Sequence, residues 1–162
     1  MIYINPDAFL GEPRVWTPER SRVAWERCYA VLSSAVAGRA VERLYIVFGV
    51  QGGGKTCWIK SASKHLIGDT AAVFDAALPA ARHRSRAIEI ANSKNIPVSA
   101  VWIDVPLGVA LSRNQMRSAD QRVPQEAIES VFSLLEAPSF SEGFSEMFRV
   151  DQSGVIAPYS VE

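Results

Sequence analysis

Apolar positions along this chain follow two rhythms. Short, mostly apolar runs occur at Met1–Ile4, Leu44–Phe48, Ala71–Phe74, Val98–Ile103 and Met147–Val150. Runs of that length, bounded by turn residues, predict strands buried on both faces. Between them apolar residues recur every three or four positions. Thr17 reads as an N-cap with Pro18 at the first helical position, and Trp25, Cys28, Leu32 and Ala35/Val36 form one stripe of a helix reaching about Ala37. Further helices are expected from Lys55 to about Leu66, from Pro79 to about Lys94 with Ala80, Ala87, Ile88 and Ala91 inward, and from Pro106 to about Arg117. A last one opens at Pro124, with Ile128, Val131, Phe132 and Leu135 as its stripe. Asn5-Pro6-Asp7, Gly38, Gly68-Asp69-Thr70, Asn95-Ile96-Pro97 and Pro138–Gly143 punctuate the elements, and the tail from Asp151 reads as surface. Strands alternating with helices predict an α/β fold: a parallel sheet of about five strands between two helical layers. Ligands of such sheets sit at the carboxyl ends of the strands, where Asp7, Asp75 and Asp104 all fall.

One turn in this series is unlike the others. After the strand at 43–48 come Gly49-Val50-Gln51-Gly52-Gly53-Gly54-Lys55-Thr56, which complete the G-x-x-x-x-G-K-[ST] pattern between a strand and a helix. Glycines let backbone N–H groups turn inward around phosphate oxygens, and the helix that follows aims its positive end at them. Lys55 is the expected cation for the β- and γ-phosphates, and Thr56 an oxygen ligand for Mg²⁺. Residues 49–56 with Cys57, in the first turn of the helix, are the expected binding segment for ATP or another nucleoside triphosphate.

Composition narrows the partners. The chain has 162 residues, 48% hydrophobic and 21% charged, with a formal net charge of zero. This predicts one folded domain, 1–162, with no overall pull toward nucleic acid. Cys28 and Cys57 lack metal-ligand spacing and are expected to be reduced. Neither a signal peptide nor a run of transmembrane length is seen, so the expected location is cytoplasmic, with no membrane partner.

Several side chains could act on a phosphate. Asp75 ends a strand, from which it could reach Mg²⁺, or it could cap the helix near Pro79. Asp7 by periodicity is a turn residue, and Asp104 a helix-entry cap. Arg113, Arg117 and Arg122 bracket a polar stretch; Arg113 and Arg117, four apart, would share a helix face and make a lid over the triphosphate, or a solvated face. Arg82, His83, Arg84 and Arg86 form a second basic cluster. Of the four tryptophans, Trp25, Trp58 and Trp102 read as packing residues, and Trp16 stays open as a stacking platform.

From Ala71 to Val150 the chain resembles the kinase domain of the polynucleotide 5′-hydroxyl kinases. Val73-Phe74-Asp75-Ala76-Ala77-Leu78-Pro79 is similar to that family's Asp-x-Thr-Asn strand, Arg113-Asn114-Gln115-Met116-Arg117 to its lid, and Leu135-Glu136-Ala137-Pro138 with Ser141-Glu142-Gly143-Phe144 to a phrase of the metazoan end-healing enzymes. With the phosphate loop, the resemblance covers most of 43–150. The family places an Asn-x-Asp strand after the phosphate-loop helix, and its Asp is the general base. Only a short turn stands there in this chain, but Tyr3-Ile4-Asn5-Pro6-Asp7 resembles the absent strand. The resemblance therefore implies a three-layer P-loop kinase fold of permuted strand order. Block 1–38 would be relocated to the N-terminus, 43–66 would be the phosphate loop and helix, and 106–124 the arginine-bearing lid. It implies Asp7 as general base, Lys55, Arg113 and Arg117 as catalytic cations with both arginines on ATP, Thr56 and Asp75 at Mg²⁺, and Arg84 and Arg86 toward substrate. The chain departs from the pattern at Ala77 and Leu78, which replace the Thr and Asn, and at Leu10, where the family often has an acceptor-binding Arg.

The expected activity is transfer of the γ-phosphate of ATP to a hydroxyl, with the 5′-OH end of DNA or RNA first among acceptors. A nucleoside or nucleotide sugar is the alternative, since zeta-type toxins also carry an Asn-Pro-Asp-like strand. A slowly hydrolysing nucleotide switch is the non-enzymatic alternative.

Overall fold

The computed structural model describes residues 1–13 and 15–160, without the side chains of 62–64. Its strands are β1 (Ile2–Ile4), β2 (Arg43–Phe48), β3 (Ala71–Asp75), β4 (Val98–Ile103), β5 (Glu146–Val150) and β6 (Ile156–Pro158). Its α-helices are α1 (Pro18–Ala37), α2 (Lys55–Ala62), α3 (Ala81–Asn92), α4 (Leu107–Gln115) and α5 (Gln125–Ser133). The strands form one sheet in the order β1-β3-β2-β4-β5-β6, parallel except for the β5–β6 pair.

The N-terminal strand lies outside β3 at the sheet edge, not beside β2, with Ile2, Tyr3 and Ile4 opposite Ala72, Val73 and Phe74. The Asn-Pro-Asp segment thus follows a strand of the main sheet, as expected. Thr17 caps α1 by accepting from the Arg20 N–H, and Pro18 stands at its first turn.

Period-two alternation sorts the core into two layers. Leu44, Ile46 and Phe48 of β2, with Phe74 and Ile4, pack on Cys28, Leu32 and Val36 of α1 and Ile88 and Ala91 of α3. Trp25 and Tyr29 join this layer against the Phe74 ring, with centroids 5.9 and 5.8 Å away. On the other face Val47, Val73, Val101 and Ile103 meet Trp58 and Ile59 of α2, Ala110 of α4 and Ile128 of α5.

Three expectations change. The sheet has a sixth strand, because Asp151-Gln152-Ser153-Gly154 is a turn and not a trailing tail. The Asp151 carboxylate accepts from the N–H groups of Ser153 and Val155, and Gly154 takes a positive φ, which folds β6 back on β5. The helix after the phosphate loop ends at Ala62 and continues as a π-helical turn, Ser63–Ile67. The helix expected to reach about Arg117 ends at Gln115, so Arg117 is not on the helix face of Arg113.

Candidate active site

The phosphate loop lies at the carboxyl end of the sheet, wedged between β4 and α4. A Cβ on Gly49 would stand 2.5 Å from the Ile103 carbonyl oxygen, and one on Gly52 2.3 Å from that of Ala110. Both glycines also take positive φ, 141° and 81°. Only glycine satisfies the backbone and the contact at these positions. The Lys55 ammonium folds back into the loop and donates to the carbonyls of Gly49 (2.9 Å) and Val50 (3.0 Å). Desolvation there lowers its pKa from 10.5 to about 8; the Asp75 charge opposes this, Arg117 adds to it, and Asp7 opposes it again. Asp75, Arg117 and Asp7 therefore all lie within electrostatic reach of Lys55.

Asp75 is 1% exposed at the end of β3 and caps no helix; α3 starts after Ala80, whose N–H donates to His83 Nδ1. Its Oδ2 accepts from the Tyr3 hydroxyl (2.5 Å), Thr56 Oγ1 (3.2 Å) and Asn5 Nδ2 (3.4 Å). Register explains the convergence. Tyr3 is opposite Val73, two residues from Asp75 on one face of the sheet, and that face carries α2 with Thr56 in its first turn. The Tyr3 hydroxyl is raised to about 12, by desolvation first and by its bond to Asp75 second, so it stays a donor at neutral pH. Asn5 also uses its Oδ1 to accept the Asp7 N–H at 2.8 Å, capping the short 3₁₀ turn Pro6–Phe9. One side chain thus ties the backbone of Asp7 to the carboxylate of Asp75.

These groups fit Mg²⁺. Thr56 and Asp75 offer two hard oxygens beside the phosphate loop, and no group of three or more His, Cys, Asp or Glu occurs among the described residues. A small octahedral cation that keeps its waters and is held by few protein oxygens plus phosphates suits that sparse set.

The cations divide. Arg113 reaches the loop, donating to the Gly53 carbonyl (2.9 Å) and, across from it, to Gln152 (2.7 Å) in the β5–β6 turn. Arg117 is half-buried just past the end of α4. Arg122 donates to the carbonyls of Gln115 and Arg117, which closes the helix terminus. Asn114, 4% exposed, was not singled out by sequence. Its Nδ2 donates to the Val123 carbonyl (2.7 Å) and its Oδ1 accepts the Val123 N–H (3.0 Å), so one amide pairs with both main-chain groups of Val123. A polar residue on the buried stripe of a short helix was the signal for it.

Arg84 and Arg86 do not come to the loop. Arg84 is wholly buried, paired in parallel with Glu142 (2.7 and 2.8 Å), donating to the carbonyls of Leu78, Pro79 and Glu136, and lying 4.5 Å from the Phe48 ring centroid. Arg86 pairs with Glu26 on α1 and covers the Tyr29 ring. Both were expected toward substrate; in the fold each is paired with a carboxylate, Arg84 out of solvent and Arg86 half-exposed. Nor does Asp104 cap α4: Pro106 precedes the first turn, and Asp104 pairs with Arg149 at 2.6 Å. Trp16 is 67% exposed beside the α1 N-cap.

A cavity of about 520 Å³ runs from Gly53 and Gly54 past exposed Cys57 and Arg113 to the turn at 151–154. No described helix is long and apolar enough to cross a membrane.

Residues 62–138, somewhat less than half of the chain, match the model of a family described as an AAA domain. The match starts after the phosphate loop and spans β3 through α5. No curated protein matches. Among solved structures, a chain of the native AvrRxo1-ORF1:-ORF2 complex superposes with a TM-score of 0.52, at 16% identity, over 92% of this chain and 69% of its own. At that identity the likeness is one of fold. The phosphate-loop motif, the sheet order and the partial family match are consistent with a P-loop kinase fold.

Proposed function

We propose that the chain is an ATP-dependent phosphotransferase that moves the γ-phosphate to a hydroxyl, with the 5′-OH of a nucleic-acid end as first acceptor. The observation that carries the reading is the continuous link Thr56–Asp75–Asn5–Asp7. It joins a metal-binding pair at the phosphate loop to the backbone of Asp7, in the 3₁₀ turn that follows the neighbouring strand, and transfer to a hydroxyl requires two such acidic residues.

Loop N–H groups hold the phosphates while Lys55 exchanges its carbonyl partners for β- and γ-oxygens. Mg²⁺, held at Thr56 and Asp75, would supply charge neutralisation between those phosphates. Asp7 takes the proton of the acceptor hydroxyl, whose oxygen bonds to the γ-phosphorus as the bond to the bridging β–γ oxygen breaks and ADP leaves. Arg113 and Arg117 neutralise the charge spread over the transferring group. The cavity leading from Gly54 to the 151–154 turn accepts the donor's nucleoside.

The polynucleotide acceptor rests on the resemblance of residues 71–150. One observation favours a small acceptor instead: Arg84 and Arg86 are both committed to carboxylates within the fold. Incubation with γ-labelled ATP, Mg²⁺ and a panel of 5′-OH DNA, 5′-OH RNA, nucleosides and nucleotide sugars separates the two. Label on oligonucleotide ends carries the first; label confined to small molecules carries the second; label on none, with ATP bound, leaves a switch. Asp7→Asn is expected to lower transfer ~10²–10⁴-fold with ATP binding retained. Normal turnover by that variant would remove Asp7 from the mechanism.

A further inference from the structure

We infer that Tyr3 is a positioning residue for the metal site, an inference that rests on the Mg²⁺-ATP reading above. Its hydroxyl makes the shortest of the three contacts to Asp75 Oδ2, at 2.5 Å against 3.2 Å for Thr56 and 3.4 Å for Asn5. The three donors are neutral, which matters chemically. A lysine or arginine against a buried carboxylate would compensate its charge and compete with a cation for it. Neutral donors fix the carboxylate and satisfy its oxygen while leaving the negative charge to attract Mg²⁺.

Packing does not require the hydroxyl. Tyr3 is on an edge strand with 43% of its surface exposed, whereas its neighbours Ile2 and Ile4 turn to the α1 layer. Phenylalanine would preserve the ring, and only the O–H reaches Asp75. Because Asn5 Nδ2 also donates to the Tyr3 oxygen at 3.1 Å, the phenol stands between the Asp7 segment and the metal ligand. The N-terminal strand therefore brings a second component to the site besides Asp7: the group that holds Asp75 in its ligating orientation.

The test measures binding of a non-hydrolysable ATP analogue by calorimetry, in Mg²⁺ and in EDTA, for the native chain, Tyr3→Phe and Tyr45→Phe. Tyr45 is the control, since its hydroxyl donates to the Leu66 carbonyl, away from the site. The native chain is expected to bind more tightly in Mg²⁺. Tyr3→Phe is expected to lose roughly tenfold of that Mg²⁺-dependent gain, the scale of one hydrogen bond to a charged group, with affinity in EDTA unchanged. Tyr45→Phe should keep the full gain. In transfer assays the Mg²⁺ concentration for half-maximal rate should rise for Tyr3→Phe more than the rate at saturating Mg²⁺ falls. A native-sized gain in Tyr3→Phe, or an equal loss in EDTA and Mg²⁺, would overturn the inference while leaving the kinase reading intact. A native chain indifferent to Mg²⁺ would overturn both.

Discussion

The chain has two arginine clusters of similar composition, at 82–86 and 113–122, and the fold uses them in opposite ways. Arg84 points into the layer between sheet and helices, where Glu142 and main-chain carbonyls take up its donors. Arg113 points to the carboxyl end of the sheet, where its partners are carbonyls of the phosphate loop and of the β5–β6 turn. The difference lies in the partners. A carboxylate buried with a guanidinium neutralises it and makes it part of the core. Carbonyls hold a guanidinium in place and leave its charge available to an anion. Having arginines near a phosphate loop is therefore weak evidence of function until their counter-charges are known.

That contrast can be broken by substitution. The largest effect is expected for Arg113→Ala, a loss of ~10³–10⁵ in transfer rate with little change in thermal stability, read by kinetics beside a melting curve. Arg84→Met should do the reverse. Removing one member of a buried pair costs about 3–5 kcal/mol, so unfolding in denaturant should shift strongly, while any folded fraction keeps its affinity for ATP. If Arg113→Ala unfolded the chain and Arg84→Met only slowed it, the two clusters would have been assigned backwards. Asn114→Ala comes next. It leaves the Val123 N–H and carbonyl without their side-chain partner and is expected to cost about 1–3 kcal/mol, with a rise in KM for ATP as the lid loosens.

A subtler expectation concerns Lys55. With its pKa lowered to about 8, the lysine binds fewer protons folded than unfolded between that value and 10.5. Folding should therefore gain stability as pH rises through that window, with no contribution to the slope below it. Triphosphate binding should restore the proton. At pH 9, calorimetry in buffers of different ionisation enthalpy should report uptake approaching about one proton per ATP bound, absent in Lys55→Met. The smallest effect is expected for Arg86→Ala. Its pair with Glu26 is half-exposed on both sides, and the melting temperature should move by no more than about 2 °C.

How much of this was legible in the chain depended on how far apart the partners are. The phosphate loop lies within eight consecutive positions, Gly49–Thr56, where spacing and the strand-to-helix context carry the whole signal. The strand ending at Asp75, the capped start of α1 and the strand alternation are equally local, being set by periodicity and backbone chemistry. The Asn-Pro-Asp segment marked β1 as a strand of the sheet, whereas its edge position beside β3 came only from the pairing. Arg113 and Arg84 show the limit: both are arginines on helices beside strands, with nothing nearby in sequence to separate them.

Local pattern thus sufficed for the α/β layers, the phosphate loop and the acidic strand ends, since each depends on a few adjacent residues and their intrinsic geometry. Partnership across the fold did not follow from it. Tyr3 meets Asp75 across 72 positions, Arg84 meets Glu142 across 58, and Arg113 meets Gly53 across 60. The first and last of these exist because parallel strands in the order β1-β3-β2-β4-β5 bring distant carboxyl ends to one edge, and the second because α3 packs against the turn Phe140–Glu142. Whether a charge there is neutralised or left to face a ligand depends on which side chain the topology sets opposite it.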